Sequence, residues 1–263
     1  MKLTSFPIGI FDSGVGGTSI WKEIKALLPH EDTIYLSDSK NAPYGEKSKQ
    51  TIIDLSIKNT EFLLQQNCKL IVVACNTATT NAIKILREKY TIPFIGIEPA
   101  IKPAALKTKT NNIGILATKG TLNSELFEKT TSTIPKEITT KETIGKGLVE
   151  LIENGKINST EMKELLSSYI EPMLKEQIDC LVLGCTHYPY LIPQIREITG
   201  KKVQIIDSGE AVAKQTKAIL EKHQLLNNDT KKGTHQFYIN KNKKVLEMLI
   251  SNNKDIKIDE KDF

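Results

Sequence analysis

Short apolar runs rich in isoleucine, valine and leucine alternate along the chain with longer stretches in which apolar positions recur every three or four residues. The runs at residues 7–11, 33–37, 69–74 and 93–97 predict buried strands. The helical periodicity of residues 18–28, 48–66 and 77–89 separates them. The alternation then restarts, with strands predicted over 112–117, 179–184 and 203–206 and helices over 122–130, 160–177 and 190–198. A last stretch predicts a helix at 210–222, a strand at 235–239 and a helix at 241–250, with a polar surface loop at 227–233 and a loose tail at 255–263.

Strands that alternate with helices and read as continuous apolar runs belong in parallel sheets covered by helices, which makes the fold class α/β. An internal echo refines this. Ile8-Gly9-Ile10-Phe11-Asp12-Ser13 resembles Ile113-Gly114-Ile115-Leu116-Ala117-Thr118, and each segment precedes a cysteine-ended strand by a similar distance. The expectation is two similar lobes, each a mainly parallel sheet flanked by helices, with the active site between them. Changes of direction at Pro99 to Pro103 and at Asp207-Ser208-Gly209 divide the chain into a first lobe of residues 1–98 plus 208–263 and a second of residues 99–207. Ligands in such sheets bind beyond the carboxyl ends of the strands. Asp12, Ser13, Cys75, Asn76, Thr118, Cys185, Thr186 and His187 all fall at predicted strand ends.

Composition narrows the function classes. With 39% hydrophobic and 25% charged residues, and no apolar run of membrane-spanning length, the chain is expected to be a cytoplasmic globular protein without membrane association. The net charge of +5 comes from lysines spread over helix faces and the tail, without an arginine-rich or aromatic-interleaved stretch, so no nucleic-acid partner is expected. No CxxC or HxxxH spacing occurs among the four cysteines and four histidines, so no metal site is expected. Assembly as a homodimer is allowed by the sequence without being required by it.

The chemistry centres on two matching segments, Ile71-Val72-Val73-Ala74-Cys75-Asn76-Thr77 and Leu181-Val182-Leu183-Gly184-Cys185-Thr186-His187. Each is an apolar run that ends in cysteine and small polar residues before a helix-like segment. That places a thiol beside a helix N-terminus, where free N–H groups favour the thiolate and can hold a carboxylate. Cys68 and Cys180, at the starts of the same strands, are expected to be inert core residues. His30, His223 and His235 occupy helix-end or loop-like contexts and are expected at the surface. The turn Asp12-Ser13-Gly14-Val15-Gly16-Gly17 follows a strand and opens a helix, but lacks GxGxxG and GxxxxGK[ST] spacing; a small-molecule role is favoured over nucleotide binding.

Four motifs in order carry a resemblance to a known family. They are Phe11 to Gly17, Asp38 with Ala42-Pro43-Tyr44-Gly45-Glu46, Ala74-Cys75-Asn76-Thr77-Ala78-Thr79, and Gly184-Cys185-Thr186-His187-Tyr188-Pro189. Together they resemble glutamate racemase, in the aspartate/glutamate racemase superfamily, from Ile8 to about Ala218. The resemblance implies cofactor-independent interconversion of L- and D-glutamate, supplying D-glutamate for peptidoglycan and so for the cell wall and cell shape.

The resemblance also implies catalytic residues Cys75, Cys185, Asp12, His187 and Glu153. Cys75 would take the α-proton of D-glutamate and Cys185 that of L-glutamate, with Asp12 beside the first thiol and His187 beside the second. Implied substrate contacts are Asp12, Ser13, Tyr44, Gly45, Asn76, Thr77, Thr186 and His187. Glu153 transfers least directly: Glu150 stands where the family has a proline, and Glu150 and Glu153 compete for one role. The chain has two arginines, Arg87 and Arg196, both late in helices expected to begin at the cysteines; the anions of a dicarboxylate would then meet neutral donors and helix ends. An aspartate or hydantoin racemase remains open, as does a non-catalytic two-lobed amino-acid-binding module, which would have no use for paired thiols.

Overall fold

The computed structural model describes residues 3–250 and 255–263. Ten strands among them form two all-parallel sheets. The first contains β1 (Ile8–Asp12), β2 (Thr33–Ser37), β3 (Leu70–Val73), β4 (Phe94–Gly96), β9 (His235–Ile239) and β10 (Ile256–Glu260), in the spatial order β10-β9-β2-β1-β3-β4. The second contains β5 (Asn112–Ala117), β6 (Thr139–Ile144), β7 (Cys180–Gly184) and β8 (Gln204–Ile206), in the order β6-β5-β7-β8. Strands β1, β3 and β7 are buried along their whole length, which is why they read as unbroken apolar runs.

Helices α1 (Thr18–Leu27), α2 (Lys49–Gln65), α3 (Asn76–Lys89) and α4 (Ile101–Lys107) follow the first four strands. The second sheet carries α5 (Lys119–Leu122), α6 (Glu125–Thr131), α7 (Leu148–Glu153), α8 (Thr160–Lys175) and α9 (Ile192–Thr199). Helix α10 (Gly209–Lys222) returns to pack on α1, and α11 (Lys243–Leu249) lies between the last two strands. Serine begins three of these helices for a stated reason: Ser48, Ser124 and Ser159 each accept the backbone N–H three residues on and satisfy an orphan donor of the first turn. No helix among the described residues is long and apolar enough to cross a membrane.

Two expectations are corrected. The tail at 255–263 is not loose, because Ile256–Glu260 pairs in register with His235–Ile239 and forms one edge of the larger sheet. His235 is not at the surface: it is 2% exposed, hydrogen-bonded through Nδ1 to Thr33 Oγ1 at 2.9 Å, and packed edge-on against Trp21.

The register positions the chemistry. Phe11 lies opposite Val73, and two residues further on Ser13 comes level with Cys75. Ala117 lies opposite Gly184, which sets Thr118 level with Cys185. The chain leaves the first sheet past Glu98 and returns at Ser208, and these crossings are tied where Ser208 Oγ donates to Glu98 O at 2.5 Å.

Candidate active site

The carboxyl ends of β1, β3, β5 and β7 converge on a cavity of about 10 Å³, the size of one water molecule. Ser13, Tyr44, Gly45, Cys75, Asn76, Thr77, Cys185, Thr186 and His187 line it, together with Pro43, Thr118 and Val149. Both thiols therefore face one space. A larger cleft of about 920 Å³ lies outside, shares Gly45 with this cavity, and holds neither thiol.

The two cysteines are built differently. Cys75 is itself the N-cap of α3, with extended backbone, and its sulfur accepts the Ala78 N–H at 3.4 Å while its S–H donates to Ser13 Oγ at 3.6 Å. Burial, reinforced by the negative charge of Asp12, pushes this thiol well above the ordinary range and keeps it protonated.

Cys185 lacks the expected helix end. Its carbonyl accepts from Tyr188 N in a turn, a short 3₁₀ segment spans Tyr188–Leu191, and α9 begins only at Ile192. Pro189 and Pro193 set these starts, since proline suits the first turn of a helix where no N–H is needed. What faces Cys185 is an imidazole: His187 Nδ1 lies 3.7 Å from its sulfur, and His187 Nε2 meets Glu153 Oε1 at 2.7 Å. Burial works to lower the His187 pKa, but the bonds to Cys185 and Glu153 outweigh it and hold the ring well above its usual value. The Gly16 N–H also lies 3.2 Å from Nε2, so the glycine-rich turn touches the ring directly as well as through Glu153.

Glu153, not Glu150, occupies this position. Its side chain is buried and accepts from Val15 N at 2.6 Å and Ser39 Oγ at 2.7 Å as well as from His187. Burial pushes Glu153 up, yet those three donors hold it below its usual value, so it stays ionised. Glu150 is half-buried and faces a small outer pocket beside Lys146.

The glycine-rich turn proves to be an anion cradle for the protein's own carboxylates. Gly17 N donates to Asp12 Oδ2 at 2.8 Å and Val15 N to Glu153. A Cβ on Gly14 would stand 1.9 Å from Glu153 Oε1, and one on Gly16 would stand 2.2 Å from His187 Nδ1. The turn is glycine because the acidic and basic groups of the second cysteine press against its backbone. Asp12 is fully buried; burial raises its pKa, and His187 and the Gly17 N–H oppose that rise. Thr186 Oγ1 donates to its other oxygen at 3.3 Å.

The remaining predicted contacts divide by how committed they are. Tyr44 lines the cavity, but its hydroxyl donates to Asp38 Oδ2 at 2.6 Å. Thr77 shares its hydroxyl with Thr118 at 2.7 Å. Asn76 is 3% exposed and neither atom of its amide has a partner, an arrangement that protein interiors avoid unless a ligand supplies one. Arg87 and Arg196 bond to backbone carbonyls at Phe94 and Val203 and do not line the cavity.

Cys68 and Cys180 are buried, and burial pushes their thiols up to about 12 and about 11. No group of His, Cys, Asp or Glu among the described residues is arranged to hold a metal ion. Val149 and Ser39 are neighbours of the site that sequence reasoning passed over. Val149 lies one helical turn before Glu153 and so on the same face of α7, a signal available from spacing alone.

Comparison with known proteins gives this geometry its context. The Asp/Glu/hydantoin racemase family model matches residues 13–216. A glutamate racemase of Herpetosiphon aurantiacus is 46% identical over 228 residues, covering 87% of this chain and 90% of the relative. Among solved structures, glutamate racemase isoform RacE1 from Bacillus anthracis superposes with a TM-score of 0.87 at 32% identity, covering 97% of each chain. The Escherichia coli glutamate racemase, solved with L-glutamate and the activator UDP-MurNAc-Ala, superposes at 0.85 with 30% identity, again over 97% of both. Fold, cavity and similarity agree: the chain belongs to the Asp/Glu/hydantoin racemase family of isomerases.

Proposed function

We propose that this enzyme racemises glutamate without a cofactor, using Cys75 and Cys185 as acid and base on opposite faces of the α-carbon. The observation that carries this reading is that two thiols in unlike electrostatic settings line one cavity, beside an asparagine with an unpartnered amide. In the L-to-D direction the Cys185 thiolate takes the α-proton. The C–H electron pair moves into the α-carboxylate as an enediolate, and the Cys75 S–H delivers a proton to the other face. The D-to-L direction exchanges the roles.

The α-proton of an amino acid is a very weak acid, so donors at the carboxylate matter as much as the base. Asn76, Ser13, Thr77 and Thr186 with the backbone N–H groups at Gly45 and the start of α3 would bind the substrate's carboxylates, and Asp12 its ammonium. Asp12 serves the Cys75 side. His187, held by Glu153, supplies positive charge where Cys185 must carry negative charge during turnover. In this reading residues 1–98 with 208–263 make one lobe and residues 99–207 the other. A cavity the size of one water admits glutamate only if those lobes part, and the seam expected to open is the one where Gly45 packs against Thr118 at the rim, so closely that an added Cβ would stand 2.7 Å from Thr118 Cβ. The D-glutamate formed would feed peptidoglycan synthesis in the cytoplasm.

Circular dichroism of the purified protein with L- or D-glutamate and no added pyridoxal phosphate tests the assignment. Optical activity should decay to zero with glutamate and persist with aspartate. Decay with aspartate alone would select the aspartate racemase reading, and persistence with every amino acid would leave a binding module.

A further inference from the structure

Cys185, His187 and Glu153 follow strands of the second sheet, but the groups that hold the imidazole and the carboxylate follow the first: the Val15 and Gly16 backbone N–H groups and one side chain, Ser39. Ser39, just past β2 in the first sheet, is 4% exposed and donates its hydroxyl to Glu153 Oε2 at 2.7 Å. Its own oxygen lies 3.1 Å from Ser37 Oγ, so Ser37, Ser39, Glu153, His187 and Cys185 form one continuous chain. Val15 N and His187 Nε2 both engage Oε1, which leaves Ser39 as the side chain that holds Oε2. A carboxylate fixed at both oxygens cannot swing about its terminal torsion, and Oε1 then stays aimed at Nε2.

We infer that Ser39 is a positioning residue for proton transfer on the Cys185 face: its hydroxyl reaches across from the first lobe and locks Glu153, and through it His187, only when the lobes are closed. The inference rests on the two-thiol reading above and deepens it, because it makes the competence of one thiol depend on closure. The other charged or titratable groups near the chain are Asp12 on β1, Tyr35 on β2, Asp38 beside Ser39 with its partner Tyr44, Cys75 before α3 and Tyr190 after Cys185. The Ser39 hydroxyl bonds Glu153 and Ser37 and none of these groups, so the effect is expected on the Cys185 side alone.

Racemisation imposes a constraint that sharpens the test. L- and D-glutamate have equal free energy in water, so the equilibrium constant is one and kcat/KM must fall equally in both directions in any variant. The face affected is instead read from primary isotope effects with α-deuterated substrates. Ser39→Ala and Ser39→Val should lower kcat/KM about tenfold, the loss of one positioned hydrogen bond to a charged group. The isotope effect should grow for L-glutamate, where Cys185 abstracts, and shrink for D-glutamate. Ser39→Thr, isosteric with valine but carrying a hydroxyl, should return both values to near wild type.

Equal changes in the two isotope effects, or Thr and Val behaving alike, would overturn the inference while leaving the two-thiol reading intact. Wild-type racemisation by Cys185→Ser would remove that reading itself, whatever Ser39 does.

Discussion

Substituting Gly16 by alanine isolates the geometry of His187 from its chemistry. The new methyl carbon would lie 2.2 Å from Nδ1, 2.5 Å from Cγ and 2.7 Å from Cε1, whereas ordinary contact begins at 3.4 Å. Gly16 is not among the glycines with positive φ, so the backbone tolerates alanine and the conflict is purely with the ring. The ring must therefore retreat by about 1 Å. It is 1% exposed and anchored at Nε2 by the 2.7 Å contact to Glu153, and such a shift breaks that bond or carries Nδ1 away from the Cys185 sulfur.

Misplacing a catalytic group by about 1 Å can cost about 10²-fold, and overpacking a buried site about 1–3 kcal/mol of stability. Gly16→Ala should therefore fold, melt several degrees lower, and racemise L-glutamate about 100-fold more slowly with KM little changed, as followed by decay of optical rotation. Gly14→Ala, whose methyl would stand 1.9 Å from Glu153 Oε1, should behave alike. A folded Gly16→Ala enzyme within threefold of wild-type kcat would refute the claim that His187 is held in place for catalysis by a glycine-lined wall.

Two further predictions follow from the buried titratable groups. Glu153→Gln keeps an acceptor toward Val15 and His187 but removes the charge that, with Cys185, keeps the ring protonated against burial. The alkaline limb of the kcat profile should move to lower pH with a loss of about 10- to 100-fold, and an unmoved limb would show that the imidazolium is not needed. His235, pushed down to about 4 by burial and the nearby Lys25, is neutral in the fold while an unfolded chain protonates near 6.5. Because the unfolded state takes up the proton first, this contribution is intact above pH 6.5 and lost as pH falls toward 4, by up to about 3 kcal/mol. Denaturant titrations should show that loss in the wild type and a flatter dependence in His235→Gln; identical slopes would contradict it.

Much of this architecture is legible in the chain because central parallel strands have no exposed face and must be apolar throughout. That is why β1, β3 and β7, with their terminal Asp12, Cys75 and Cys185, can be placed from pattern alone. The strands that escape prediction are edge strands. Thr139–Ile144 is mostly exposed and carries Lys141 and Glu142, and Ile256–Glu260 carries Lys257, Asp259 and Glu260, charges that keep an open sheet edge from pairing with another chain.

His235 reads as polar because its burial depends on a hydroxyl from Thr33 and a ring from Trp21, two hundred residues away in sequence. The asymmetry between the thiols was hidden for a similar reason. Two similar segments promise two similar helix ends, and only the prolines at 189 and 193 hint that the second is delayed, which leaves the His187 ring facing the sulfur. Between Glu150 and Glu153 the chain alone offers no choice; in the fold it is Glu153 that meets Val15, Ser39 and His187.

The central claim, one thiol for each face, is tested most directly by α-proton exchange in D₂O followed by ¹H NMR. Cys75→Ala should exchange the α-proton of L-glutamate without inverting it and leave D-glutamate untouched, while Cys185→Ala should do the reverse. Exchange of both enantiomers by either variant, or net racemisation at the wild-type rate, would contradict the account.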